Sequence, residues 1–182
     1  MADSLALICH PSTPAGAVRR IEARARRAPK AKLELTYTLT GDLTRLRLPP
    51  PRERRFAERL WEHTCFEAFI KMEETAAYHE LNFAPSGEWA VLSFAAYRKG
   101  AVLDDLALAP QMAVRSGDDQ LALEATVQLD LLSAEYAQAA LRIGLSAVIE
   151  AMDGTLSYWA LRHPPGKPDF HHADAFALRL AP

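Results

Sequence analysis

Apolar and polar residues alternate with a two-residue period along most of the 182-residue chain, the pattern of strands with one face buried. Leu5, Leu7 and Cys9 alternate with Ala6, Ile8 and His10 until Pro11 and Pro14 end the segment. Over residues 18–27, Ile21, Ala23 and Ala25 alternate with Glu22, Arg24 and Arg26. Val18, Ile21, Ala25 and Ala28 also fit a helix face, but the strongly β segments that follow favour a strand. Leu33, Leu35, Tyr37 and Leu39 predict the next strand, and Gly41-Asp42 a turn into a hairpin partner carrying Leu43, Leu46 and Leu48. Pro49, Pro50 and Pro51 then stop pairing, because proline has no amide hydrogen to donate. Residues 49–60 read as a basic loop with a helical turn through Phe56 to Leu60.

Further strands are expected at about 64–72, 78–84, 88–97, 111–115, 120–127, 141–150, 155–161 and 175–180. Residues 98–109 read as a connection, and Ser133 as the cap of a short helix over 134–140. Many short strands broken by turn residues imply an all-β fold, a sandwich or an incomplete barrel, in a single domain over residues 1–182.

The most informative stretch is the hairpin over residues 64–84. Phe66, Ala68, Ile70 and Met72 share one face of the first strand; Cys65, Glu67, Phe69 and Lys71 share the other. A four-residue loop over Glu73 to Ala76 places Glu67 opposite Asn82, Phe69 opposite Glu80 and Lys71 opposite Tyr78. The first face then becomes core, and Glu67, Lys71, Tyr78, Glu80 and Asn82 gather on the second. A slip of one residue would destroy this sorting. The polar face reads either as a solvated outer surface with cross-strand pairs or as a platform for a small ligand. Carboxylates and amides suit sugar hydroxyls, and Trp61, Trp89 and Trp159 offer flat apolar surfaces for a ring.

Composition narrows the classes. Apolar content of 49% and charged content of 24% are ordinary for a globular protein, and a net charge of −2 argues against a nucleic-acid partner. Basic residues dominate from Arg19 to Arg59, a solvated strip or a surface for an acidic partner. Two distant cysteines, Cys9 and Cys65, make no disulfide framework. No leader-like segment precedes Pro11 and no apolar run reaches the ~20 residues that span a bilayer. The expected setting is cytoplasmic, away from membranes.

Toward the C-terminus, Ser157 to Asp174 leaves a strand, crosses a proline-rich loop and holds Arg162, His163, Asp169, His171 and His172. Histidines with a carboxylate suggest a metal site, an acid–base pair or hydrogen bonding within the loop. No nucleophile motif, phosphate loop or Cys-x-x-Cys pair occurs.

Trp61-Glu62-His63-Thr64-Cys65-Phe66-Glu67-Ala68-Phe69-Ile70, with Glu80 to Trp89 and Ser157 to His172, resembles the bacterial DOMON-like proteins, which are related to family 9 carbohydrate-binding modules. The resemblance covers most of the chain. It implies an antiparallel β-sandwich of about ten strands with at most one or two short helices. It also implies sugar or haem as ligand classes, and for haem a methionine and a histidine drawn from Met72, Met112, Met152, His63, His79 and His163. The leading expectation is a non-catalytic module binding a carbohydrate or polyol. Its candidate residues are Trp61, Glu62, His63, Glu67, Asn82, Trp159, Arg162, His163, Asp169 and His171. The alternatives are a haem protein and a metal-dependent enzyme using His163 to His172.

Overall fold

Strand-forming alternation resolves into two stacked layers in the computed structural model, which describes residues 4–182. In chain order the strands are β1 (Leu5–Cys9), β2 (Val18–Ala28), β3 (Lys32–Gly41), β4 (Cys65–Met72), β5 (Tyr78–Phe83) and β6 (Trp89–Ala96). Then come β7 (Lys99–Val102), β8 (Gln111–Ser116), β9 (Gln120–Gln128), β10 (Leu141–Glu150), β11 (Leu156–Ala160) and β12 (Leu178–Leu180). One layer runs β1-β2-β3-β9-β8; the other runs β7-β6-β5-β4-β10-β11, with β12 beside the first half of β10. All these pairings are antiparallel. Strand β1 joins the layers: Leu5 to Leu7 pair with β2, and Ile8 and Cys9 with β11. The fold is an antiparallel β-sandwich.

The inner faces supply the core. Ile21, Leu35, Tyr37 and Leu39 meet Phe66, Ala68, Ile70, Leu81, Leu145 and Trp159. Each fully buried large side chain contributes about 1.5–3 kcal/mol. The Tyr37 hydroxyl crosses the layers and donates to the Glu67 carbonyl at 2.6 Å, closing a buried backbone acceptor.

The strand reading of residues 18–27 and the register of the β4–β5 hairpin hold: Glu67 pairs with Asn82, and Phe69 with Glu80. Other expectations need correction. Strand β3 has no hairpin partner after Gly41-Asp42. Leu43 to Arg45 form a 3-10 turn instead, because the Asp42 side chain accepts from Thr44 and curls the chain; Leu46 makes only a bridge to Ala151. The partners of β3 are β2 and β9. The turn expected through Phe56 lies at Leu60–Glu62, while Phe56 bridges to Trp89. Residues 98–109 contain β7 and a 3-10 turn at Leu106–Leu108. A four-residue helix, α1 (Leu129–Leu132), precedes a 3-10 turn at Ala134–Ala137 that the Ser133 side chain does not cap through its backbone.

The decisive departure concerns β4 and β5. Alternation predicts strands buried on one side, yet both faces of β4 are buried from Cys65 to Ile70. A strap over residues 162–177 lies across the outer face. Its Phe170 and Phe176 pack on Phe69, with ring centroids 6.5 and 6.2 Å away. Gly144 on β10, opposite Phe69, permits this approach: a Cβ there would stand 3.0 Å from the Ala175 carbonyl oxygen.

Candidate ligand-binding cleft

The strap leaves a cleft of about 330 Å³ over the outer face of the β4–β5–β6–β10–β11 layer. Glu67 and Glu80 line its floor, with aromatic walls from Trp61, Phe94, Tyr158 and Phe170. The alternation of β4 and β5 puts both carboxyls on this face, and their register makes them diagonal neighbours on adjacent strands.

Both acids are deeply placed, Glu67 at 2% and Glu80 at 4% relative exposure, and Asn82 beneath them is fully buried. Ser146 donates to one Glu67 oxygen at 3.3 Å. The Asn82 amide donates to one Glu80 oxygen at 2.8 Å and accepts from the Cys65 thiol at 3.5 Å. Among the described residues, the other oxygen of each acid has no hydrogen-bond partner in the protein. The free Glu80 oxygen faces His171 Nε2 at 3.7 Å. Burial pushes the Glu67 carboxyl well up from its ordinary value, and the neighbouring Glu80 charge adds to this. Burial also raises Glu80, against the Asn82 hydrogen bond and the Arg98 charge, which pull it down. Burial and the nearness of a second carboxyl both favour the protonated form of the pair.

His171 is held by its neighbours. Its Nδ1 lies 2.8 Å from the Tyr78 hydroxyl, which already accepts from the Arg98 backbone N–H at 3.1 Å. This contact fixes the ring's orientation and turns Nε2 toward Glu80. Burial first, and then the Arg98 charge, lower the His171 pKa to about 4, so the ring is neutral near neutral pH. Asp169 anchors the strap: Tyr97 donates to it at 2.6 Å, the Arg98 guanidinium at 2.8 Å and the His171 backbone at 3.1 Å. Burial pushes the Asp169 carboxyl up, but these donors outweigh it and hold the group below its ordinary value.

Of the sequence candidates, Trp61, Glu67 and His171 line the cleft, Asn82 supports its floor and Asp169 fastens its cover. The others lie elsewhere. Trp159 faces the inter-layer core at 5% exposure and donates to Ser157 at 3.0 Å; Tyr158, its neighbour, points to the cleft instead. Strand parity decides between adjacent aromatics, and composition does not carry it. Glu62 pairs with Arg59 at the surface. His63 pairs with Glu150 at 2.8 Å beside a separate groove, and Arg162 borders another hollow near Glu73 and Arg142. His163 donates from Nε2 to the Ile8 carbonyl at 2.8 Å.

The His163 to His172 segment therefore does not assemble a metal site: His171 turns to Tyr78, His172 lies 3.7 Å from Asp174, and His163 points away to β1. Among the described residues no group of three or more His, Cys, Asp or Glu is placed to hold a metal ion. Nor does the cleft bring together the methionine and histidine that the haem reading drew on. Among the described residues no methionine lines it, and Met72 and Met112 pack against the inter-layer core. Its one lining imidazole, His171, is engaged by Tyr78, and His79 is bonded to Tyr136.

Sequence reasoning placed Glu80 and Tyr78 on the correct face without selecting them as site residues; the register alone was enough to add them. Arg98, Phe94 and Phe170 were invisible because they reach the cleft through the β6–β7 turn, β6 and the strap. Part of the arginine strip is paired with the chain's own acids: Arg19 with Asp119, Arg26 with Glu34, Arg47 with Glu150, and Arg55 with Glu88.

The β-sandwich is similar in fold to proteins of known structure. A candidate carbohydrate-binding protein from Bacteroides uniformis superposes with a TM-score of 0.69 at 12% identity, covering 96% of this chain and 83% of that one. A family 9 carbohydrate-binding module from Caldicellulosiruptor kristjanssonii, in complex with cellotriose, gives 0.56 at 8% identity, covering 91% and 75%. The same organism's family 9 module in complex with glucose gives 0.53 at 8%, covering 91% and 76%. At these identities the likeness is one of fold. No family model matches the sequence, and a search of curated proteins finds no match.

Proposed function

We propose that this chain is a non-catalytic binding module whose cleft takes a carbohydrate or a similar polyol, of one or two rings. The supporting observation is the juxtaposition of two unpartnered carboxyl oxygens with an aromatic-walled cavity of about 330 Å³. That volume lies at the lower end of the ~300–1,000 Å³ usual for small-molecule sites. Hydroxyls of a sugar would donate to the free oxygens of Glu67 and Glu80, and its apolar face would lie against Trp61 or Tyr158. The fold shared with modules in complex with cellotriose and glucose agrees with this reading. The DOMON-like assignment belongs to the same proposal.

Calorimetry against a panel of mono- and disaccharides tests it. Heat of binding is expected with at least one sugar and is lost in Glu67→Ala and Trp61→Ala. A folded protein that gives no heat with any member of the panel overturns the reading.

A further inference from the structure

The cleft has an unbalanced floor. From β4 come Glu67 and the thiol of Cys65, from β5 come Glu80 and Tyr78, from the β6–β7 turn comes Arg98, and from the strap come Asp169 and His171. Burial pushes the Cys65 thiol and the Tyr78 hydroxyl up, so neither carries charge near neutral pH. Among the described residues the one basic side chain lining the cleft, Arg98, is tied to Asp169 at 2.8 Å, and Lys71, farther along the same face of β4, lies over the Phe176 ring at 5.4 Å. The His171 imidazole beside Glu80 is neutral. What remains is a pair of carboxyls, each more than nine-tenths buried, each with one oxygen lacking any protein donor among the described residues. No basic side chain donates to either.

We propose that the cleft selects a ligand carrying a protonated primary amine, an amino sugar being the form consistent with the sugar-binding reading on which this inference rests. An ammonium group brings three donors and a positive charge to two acceptors that share a deficit of both. A neutral hydroxyl would satisfy the oxygens but bring no counter-charge to an ionised carboxyl buried there, which an ammonium supplies. Burial favours the protonated form of the pair, and a bound cation would favour the ionised form. The walls agree, since Trp61, Phe94, Tyr158 and Phe170 present ring surfaces around the floor, and a cation is attracted to an aromatic face when desolvated.

The experiment compares D-glucosamine, D-glucose, N-acetyl-D-glucosamine and cyclohexylamine by calorimetry on the full chain near neutral pH, in two buffers of different ionisation heat. Glucosamine is expected to bind at least about tenfold more tightly than glucose, equivalent to ~1.4 kcal/mol. N-acetylation, which keeps the ring and removes the charge, abolishes that advantage. Binding of the amine is expected to release protons, read as a buffer-dependent heat, whereas glucose releases none. In Glu67→Gln and Glu80→Gln the preference for the amine collapses to within about threefold. Equal binding of glucosamine and glucose without proton release overturns the amine inference and leaves the sugar reading standing. Binding of cyclohexylamine with no binding of any sugar supports the amine inference and overturns the sugar reading. No binding of any of the four overturns the amine inference. Should the glutamine variants fail to fold, the ligand comparison and the proton count on the native chain still decide.

Discussion

On its inner side β4 offers Phe66, Ala68 and Ile70 to the facing layer; on its outer side the same strand offers Cys65, Glu67 and Phe69 to a strap of loop. Every one of these residues is buried. The inner side is closed by interdigitating strands and ties the hydroxyls of Tyr37 and Tyr136 to the carbonyls of Glu67 and Ile70. The outer side closes over two carboxyls, an amide and an imidazole, and keeps a cavity between them. Burial on one strand thus arises in two ways. Where it serves cohesion, polar groups are excluded or fully paired. Where acids are buried with free acceptors, stability is given up, and the compensation has to come from something the face binds.

The largest expected difference between the faces is in packing. Phe66→Ala is expected to cost about 3–5 kcal/mol, because the surrounding strands cannot collapse into the space. Phe69→Ala should cost less, at or below the lower end of that range, since its neighbours are a loop and a cleft. Urea midpoints of the two variants measure this. Equal losses would mean that the strap packs as rigidly as the facing layer, and the contrast drawn here would fail.

The same contrast explains what the sequence could and could not say. Period two is a local property, so Phe66 and Glu67 were sorted to opposite faces, and Glu67 was set against Asn82, from spacing alone. Period two does not say what lies above a face. A lone strand with Glu67 and Lys71 on one side reads as half solvated; only the return of the chain through Phe170 and Phe176 buries it. Trp159 shows the reverse failure. Aromatic residues occupy both parities at Tyr158-Trp159, so chemistry favoured the larger ring while the pairing of β11 with β10 sent it to the core. Leu43 to Leu48 looked like a strand because leucine spacing was counted without the Asp42 side chain that starts a turn.

A second distinction is electrostatic. Raised carboxyls mean that the folded chain holds protons the unfolded chain releases. Stability from the protonated pair is complete below the ordinary Glu value of ~4.3 and is lost as pH rises through the raised values. His171 acts oppositely: its stability is present above the ordinary His value of ~6.5 and is lost as pH falls through about 4. Between those ordinary values the two slopes oppose each other. Combining Glu67→Gln with Glu80→Gln is expected to leave stability unchanged near pH 4 and to raise it near pH 8. It also uncovers a rise with pH over ~4.3–6.5 that the native chain masks. Chemical denaturation across pH reads all three effects, and a double variant that parallels the native curve would show that the pair is ionised and screened by water.

The smallest effect concerns the strap alone. Arg98 reaches Asp169 from the β6–β7 turn, but about half of its side chain is in solvent, at 52% exposure. A pair of that kind is worth about 0–1 kcal/mol. Arg98→Ala should therefore leave the global urea midpoint nearly unchanged. Its consequence is expected locally, as hydrogen exchange of the strap amides near His171 faster by up to about fivefold, while amides of β3 and β4 keep their protection. The inner face is then expected to open only with the whole sandwich, and the outer face under a cover that opens by itself. Exchange that accelerates equally in β4 and in the strap would show one cooperative unit, and the cleft would then admit its ligand through global rather than local opening.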